Sequence, residues 1–122
     1  MTQHILVVDD EAGIRHLLRS VLVEEQYEVS TAGTTLDALD RLKESSFDLA
    51  IVDLMLPDVD GLQLAEAIRM LDPQTPVILI TAYGSPSLEL MAAHPAIFHY
   101  LHKPFSLDHL LYLVSHCLPS SS

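Results

Sequence analysis

Short apolar runs alternate with amphipathic stretches along this chain, and that rhythm constrains the fold more than any other feature. Residues 4–8 (HILVV) are apolar and rich in β-branched side chains, the pattern of a strand buried on both faces. From Glu11 the period changes. Ile14, Leu17, Leu18, Val21 and Leu22 recur at i, i+3, i+4, i+7 and i+8, one face of a helix. Tyr27–Thr31 alternates as a strand, and Thr34 or Thr35 can cap a second helix with Leu36, Leu39 and Leu42 inward. Residues 47–52 (FDLAIV) read as a second buried strand, ending at Asp53. A loop containing Pro57 and Gly61 leads to a third helical stripe, Leu64, Ile68 and Leu71. Asp72-Pro73 stops it, because a residue before proline avoids the α region. Pro76–Ile80 is the next strand, ending at Thr81. Ser85-Pro86 reads as N-cap and first residue of a fourth helix running to about Ala93. Ile97–Leu101 is the last strand. Ser106 then caps a fifth helix with Leu107, Leu110, Leu111, Val114 and Leu118 inward. No internal repeat is visible.

Five strands alternating with five helices predict an α/β fold, a doubly wound parallel sheet with helices on both faces. Sites in such folds lie beyond the carboxyl ends of the strands, where the strand order reverses. Here the residues at those ends are Asp9, Asp10, Asp53, Thr81 and, just past the last strand, Lys103. They are expected to gather on one edge.

Composition narrows the function. The 122 residues suit one domain, and at 49% hydrophobic they can bury a core, which argues against disorder. A formal net charge of −11 opposes direct binding to nucleic-acid phosphates or to an anionic membrane surface. Cys117 is the single cysteine, so no internal disulfide forms, as suits a reducing cytoplasm. The opening MTQH runs into the first strand without a signal-peptide pattern, and no apolar run nears the roughly 20 residues that span a bilayer. A cytoplasmic domain is expected over residues 1–118, with 119–122 a polar tail or the start of a linker.

Asp9, Asp10 and Glu11 form an acidic run, and two carboxylates about 4 Å apart repel by about 4 kcal/mol at an effective dielectric near 20. A cation shared with Asp53 relieves that repulsion. Hard oxygen ligands with room for water suit Mg²⁺ or Mn²⁺. Three carboxylates carry about −3, and one such ion with Lys103 brings the site near neutrality, so a phosphoryl group can approach. Asp53 is the expected nucleophile. Lys103 and the Thr81 hydroxyl can stabilise charge on the transferred group. The product, an acyl phosphate, is a reactive mixed anhydride and suits a transient signal.

The segments VVDDE (7–11), IVDLMLPDVDG (51–61), ILITAYGS (78–85) and YLHKPF (100–105) together resemble the receiver domains of two-component response regulators, the CheY-like family. The resemblance implies strand order 2-1-3-4-5. It implies that Asp9 and Asp10 are the acidic pair, with Asp10 the more direct Mg²⁺ ligand, and that Asp53 is phosphoacceptor and ligand. Met55 would give its backbone carbonyl to the metal. Thr81 would be the switch hydroxyl, Tyr100 the aromatic switch residue, and Lys103 the phosphate-contacting lysine, followed by Pro104 in a cis peptide. Phosphorylation would draw in Thr81, let Tyr100 turn inward, and remodel the face made by the fourth helix, fifth strand and fifth helix. The implied partners are a sensor histidine kinase or phosphotransfer protein, an output domain or effector, and a second copy docked through that face. The stretch 91–97 (MAAHPAI) departs from the family's alanine-rich helix and glycine-alanine turn, predicting an early or irregular end to the fourth helix.

Other readings compete. An aspartyl-nucleophile phosphohydrolase of the haloacid dehalogenase type needs an Asp two residues after its nucleophile, where Asp9 has Glu11, and the chain has no room for a cap over a substrate pocket. A phosphorylation-independent interaction module would lack one of the acids, the Thr or the Lys, and none is missing. Individually, Asp9 and Asp10 could cap the first helix, Asp58 and Asp60 read as turn residues with Asp60 a cap, and Tyr100 could be core. Strand alternation sets His99 and His102 on opposite faces, against a histidine zinc site. His102, beside Lys103, is a candidate for tuning the site with pH.

Overall fold

In a computed structural model, the structure describes residues 2–81, 97 and 99–118. The elements run β1 (His4–Val8), α1 (Ala12–Glu24), β2 (Glu28–Ala32), α2 (Thr35–Glu44), β3 (Leu49–Asp53), α3 (Gly61–Leu71), β4 (Val77–Thr81), β5 (His99–His102) and α4 (Leu107–Cys117). The helix expected from Ser85 and the departure at 91–97 fall, apart from Ile97, outside the described residues, as does the tail. The last helix of the sequence reading is therefore α4.

All neighbouring strands pair in parallel, in the order β2-β1-β3-β4-β5. The chain leaves β1 toward one edge, then crosses back to place β3 on β1's other side. The reversal opens a crevice at the carboxyl ends of β1 and β3. Alternate strand residues feed two cores. Leu6, Val8, Ala50, Val52, Val77 and Leu79 pack with Ala38 of α2 and Leu64, Ala65 and Ile68 of α3. Ile5, Val7, Leu49, Ile51, Ile78 and Ile80 pack with Leu18 and Leu22 of α1 and Leu110, Leu113 and Val114 of α4. The central strands carry apolar residues on both faces because both faces are covered. Each such buried aliphatic side chain contributes about 1.5–3 kcal/mol, which makes the sheet a rigid mount for what stands at its edge.

The helix faces differ in detail from their expected stripes. On α2 the buried positions are Thr35 and Ala38, with Leu39 and Leu42 packed beside them, while Leu36 is 68% exposed. Steps of three residues fall about 60° short of a full turn, so Leu36 and Leu42 cannot share one narrow face. Leu17 and Leu71 are also largely exposed, and Leu113 is an inward residue of α4 outside the expected stripe. Ser106 caps α4 through His109 N–H at 3.0 Å, and Thr34 caps α2 through Asp37 N–H at 3.1 Å. No helix among the described residues is long and apolar enough to cross a membrane.

Candidate functional site

Strand parity aims the site. Asp9 continues the alternation of Ile5 and Val7, Asp53 that of Leu49 and Ile51, and Lys103 that of Leu101, so all three lie on the α1/α4 side of their strand ends. Lys103 Nζ donates to Asp53 Oδ2 at 3.0 Å and stands 3.6 Å from Asp9 Oδ2 and 3.8 Å from Glu11 Oε1. Oxygens of Asp9, Asp10 and Asp53 lie within 4.8 Å of one another, the one such group of potential ligands among the described residues. Asp9 and Asp53 are buried, whereas Asp10 is exposed at the mouth.

The electrostatics of this corner are unbalanced. Asp9 is 1% exposed, and burial is the main reason its carboxyl is pushed from 3.8 up to about 6. The Glu11 N–H, donating to Asp9 Oδ1 at 2.9 Å, and the Lys103 charge pull the other way, while neighbouring Asp53 adds to the rise. Burial draws Lys103 down, but its hydrogen bond to Asp53 and the charges of Asp53, Asp9 and Glu11 outweigh it, so the ammonium is held above its usual range. Asp9 Oδ2 is buried without a hydrogen-bond partner. An orphaned carboxylate oxygen beside two further carboxylates is the donor set of a hard divalent cation, and the residues fit Mg²⁺ or Mn²⁺.

The loop after β3 is tightly tied. Leu54 N–H reaches Ile80 O at 2.8 Å, Met55 N–H reaches Asp53 Oδ1 at 2.9 Å, and Gly61 N–H returns to Leu54 O at 2.8 Å. A Cβ on Gly61 would overlap the Asp53 carbonyl oxygen and come within 2.7 Å of Leu54 Cα, so only glycine admits this approach of α3 to the end of β3. The Met55 side chain is exposed, and its N–H is one of the ties of this turn.

Thr81 has the other parity. It is fully buried, shares its face with Tyr100 and His102, and has His102 as register partner. Its hydroxyl lies 3.5 Å from His102 Nδ1, a weak bond, so His102 meets the candidate switch hydroxyl. Tyr100 is half-buried against the α2/α3 core. The Lys103–Pro104 peptide is cis.

Of the neighbouring polar residues, one has the role its local sequence signalled and two, Asp58 and Arg15, do not. Asp60 caps α3 through Leu62 N–H at 2.7 Å, as its place before a helical stripe suggests. Asp58 reaches away from its turn to accept the N–H groups of Thr35 and Leu36 at the start of α2. Arg15 Nη1 donates to the Asp9 carbonyl at 2.7 Å, its guanidinium filling the space a side chain at Gly33 would take. The N-cap of α1 is Glu11, whose side chain makes no capping bond; Asp9 accepts the Glu11 N–H through Oδ1 and keeps Oδ2 without a hydrogen-bond partner.

Comparison with known proteins converges on these segments. The family model of the response regulator receiver domain matches residues 5–115. Response regulator protein PilR of Pseudomonas aeruginosa is 40% identical over 116 residues, 95% of this chain and 26% of PilR. Sporulation initiation phosphotransferase F of Bacillus subtilis is 33% identical over 122 residues, 100% of this chain and 98% of that protein. The solved structure of response regulator protein TrrA from Thermotoga maritima, in complex with Mg²⁺–BeF, aligns with a TM-score of 0.84 at 36% identity, covering 96% of this chain and 100% of that one. The chain thus spans about a quarter of the length of PilR and almost all of the phosphotransferase.

Proposed function

The chain belongs to the response regulator receiver domain family, the phosphorylation switches of two-component signalling, and on that premise we propose that Asp53 accepts the phosphoryl group with Mg²⁺ as cofactor. The observation that carries this reading is the Lys103 Nζ to Asp53 Oδ2 contact of 3.0 Å, beside a buried Asp9 oxygen that no protein donor satisfies. Held by the carboxylates of Asp9, Asp10 and Asp53 and the carbonyl of Met55, the cation would neutralise the carboxylates and the oxygens of the incoming phosphoryl group. The metal carried by TrrA in its Mg²⁺–BeF complex supports the same choice here.

An Asp53 carboxylate oxygen attacks phosphorus in line, the bond from phosphorus to the donor breaks, and the donor nitrogen leaves with a proton from solvent when that donor is a phosphohistidine. Lys103 stays paired through the transfer, exchanging part of its contact with Asp53 for a phosphoryl oxygen. Thr81, whose hydroxyl faces His102 in the present arrangement, swings to donate to another phosphoryl oxygen. Tyr100 fills the vacated space and shifts the surface around β5 and α4. The donor is a sensor histidine kinase or a phosphotransfer protein. The reader of the altered surface is an output domain or a separate effector, and a second copy can dock on the same surface. With net charge −11, this domain itself leaves nucleic acid to such an output partner.

Incubation with acetyl phosphate and Mg²⁺, read by intact mass, is expected to give one phosphoryl adduct on the wild type and none on Asp53→Asn. Wild-type protein that binds Mg²⁺ yet gains no adduct would overturn the assignment.

A further inference from the structure

The β3–α3 loop (residues 54–60) carries Met55, and its near end is pinned by the bonds of Leu54 and Met55 described above. Farther along, the Asp58 carboxylate is engaged through both oxygens. Oδ1 accepts Thr35 N–H at 3.0 Å and Val59 N–H at 3.0 Å, and Oδ2 accepts Leu36 N–H at 3.2 Å. Thr35 and Leu36 open α2, whose first turn already has its own cap in Thr34. The helix thus has two devices at one end, one local and one arriving from a loop 22 residues or more along the chain.

The sheet order explains why the second device matters. β2 and β3 are not neighbours; β1 lies between them. A carboxylate that joins the loop after β3 to the helix after β2 therefore bridges two strand spacings, roughly 10 Å, on either side of the strand that delivers Asp9 and Asp10. We propose that Asp58 is a positioning residue for the cation site, a strut from the start of α2 that holds the Met55-bearing loop in place relative to the acidic pair. This rests on the Mg²⁺ reading above and adds to it a residue that touches neither metal nor phosphoryl group. These same bonds, that from the Thr35 N–H above all, hold the Asp58 carboxyl below its ordinary range.

The test is Mn²⁺ binding to the whole unphosphorylated chain, followed by electron paramagnetic resonance and by Mg²⁺ competition, with a thermal melt of each variant. Asp58→Ala is expected to weaken Mn²⁺ binding at least fivefold. Thr34→Ala, which removes the local cap of the same helix and leaves the strut, is expected to bind within twofold of wild type. Asp58→Asn loses the whole charge but keeps an acceptor for Thr35 N–H, and should fall closer to wild type than to Asp58→Ala. If Asp58→Ala is unfolded at the assay temperature, its comparison with Thr34→Ala is made at a lower temperature at which its melt shows it folded. Binding by Asp58→Ala equal to wild type overturns the strut. So does equal weakening by Thr34→Ala, which would assign the effect to helix stability, or by Asp58→Asn, which would assign it to charge. Wild-type protein that binds no Mn²⁺ removes the metal reading itself, and the strut with it.

Discussion

Asp9, a candidate metal ligand, is held in place at a cost. Its folded pKa, about 6, lies above the unfolded 3.8, so the native state takes up the proton more readily. Native stability conferred by this group is therefore greatest at acid pH, falls as pH rises from about 4 to about 6, and is level above; the cost there is about 3 kcal/mol. Asp9→Asn is expected to be more stable than wild type in divalent-free buffer at pH 7.5, by about 1–3 kcal/mol, with the difference shrinking toward pH 4. Urea melts at the two pH values check this, and a wild type equal to the variant at pH 7.5 contradicts it. A divalent cation beside this carboxylate would offset that cost. At this scale the strand-end acids, Thr81 and Lys103 were legible because strand ends are visible in the apolar pattern. Asp58 and Arg15 were not, because their partners, the N–H groups of α2 and the Asp9 carbonyl, are backbone atoms that carry no sequence signal.

Among the elements, the β3–loop–α3 unit is the most constrained. Glycine opens α3 because the helix meets the end of β3 at backbone contact distance. In an open helix an alanine would gain up to about 1 kcal/mol over glycine. Here Gly61→Ala is expected instead to cost at least about 2 kcal/mol, since the obstacle is backbone and cannot rotate away. It should also lower Mn²⁺ affinity, because the carbonyl it displaces belongs to Asp53. Denaturant unfolding decides the sign, and a stabilised variant would refute the close approach. The helices among the described residues were readable from periodicity, and the caps of α2, α3 and α4 from the pair Thr34 and Thr35, of which Thr34 caps α2, and from Asp60 and Ser106. The exact buried stripe was not: Leu36 points outward because the sheet surface presents itself to Thr35 and Ala38.

For the whole molecule, the net charge of −11 and the proposed metal site are expected to make separable contributions. Monovalent salt screens general repulsion, whereas Mg²⁺ adds a binding contribution of about 2.7 kcal/mol at a hundred times its Kd. Mg²⁺ is expected to raise the Tm of wild type beyond NaCl at matched ionic strength. Asp10→Asn, altered at an exposed position, should keep the salt response and lose the excess. Equal responses to both salts in the wild type would count against a specific site. At this scale the alternation of strand and helix patterns was enough for the parallel, doubly wound architecture and for the edge at which the candidate site residues gather, since those follow from local periodicity and from the handedness of crossovers. Whether Lys103 reaches Asp53 across 50 residues, which side of α2 is buried, and that Asp58 ties the β3–α3 loop to the start of α2 are facts of packing. They depend on distances between segments remote in sequence, and a pattern that repeats every two or 3.6 residues holds no information about those distances.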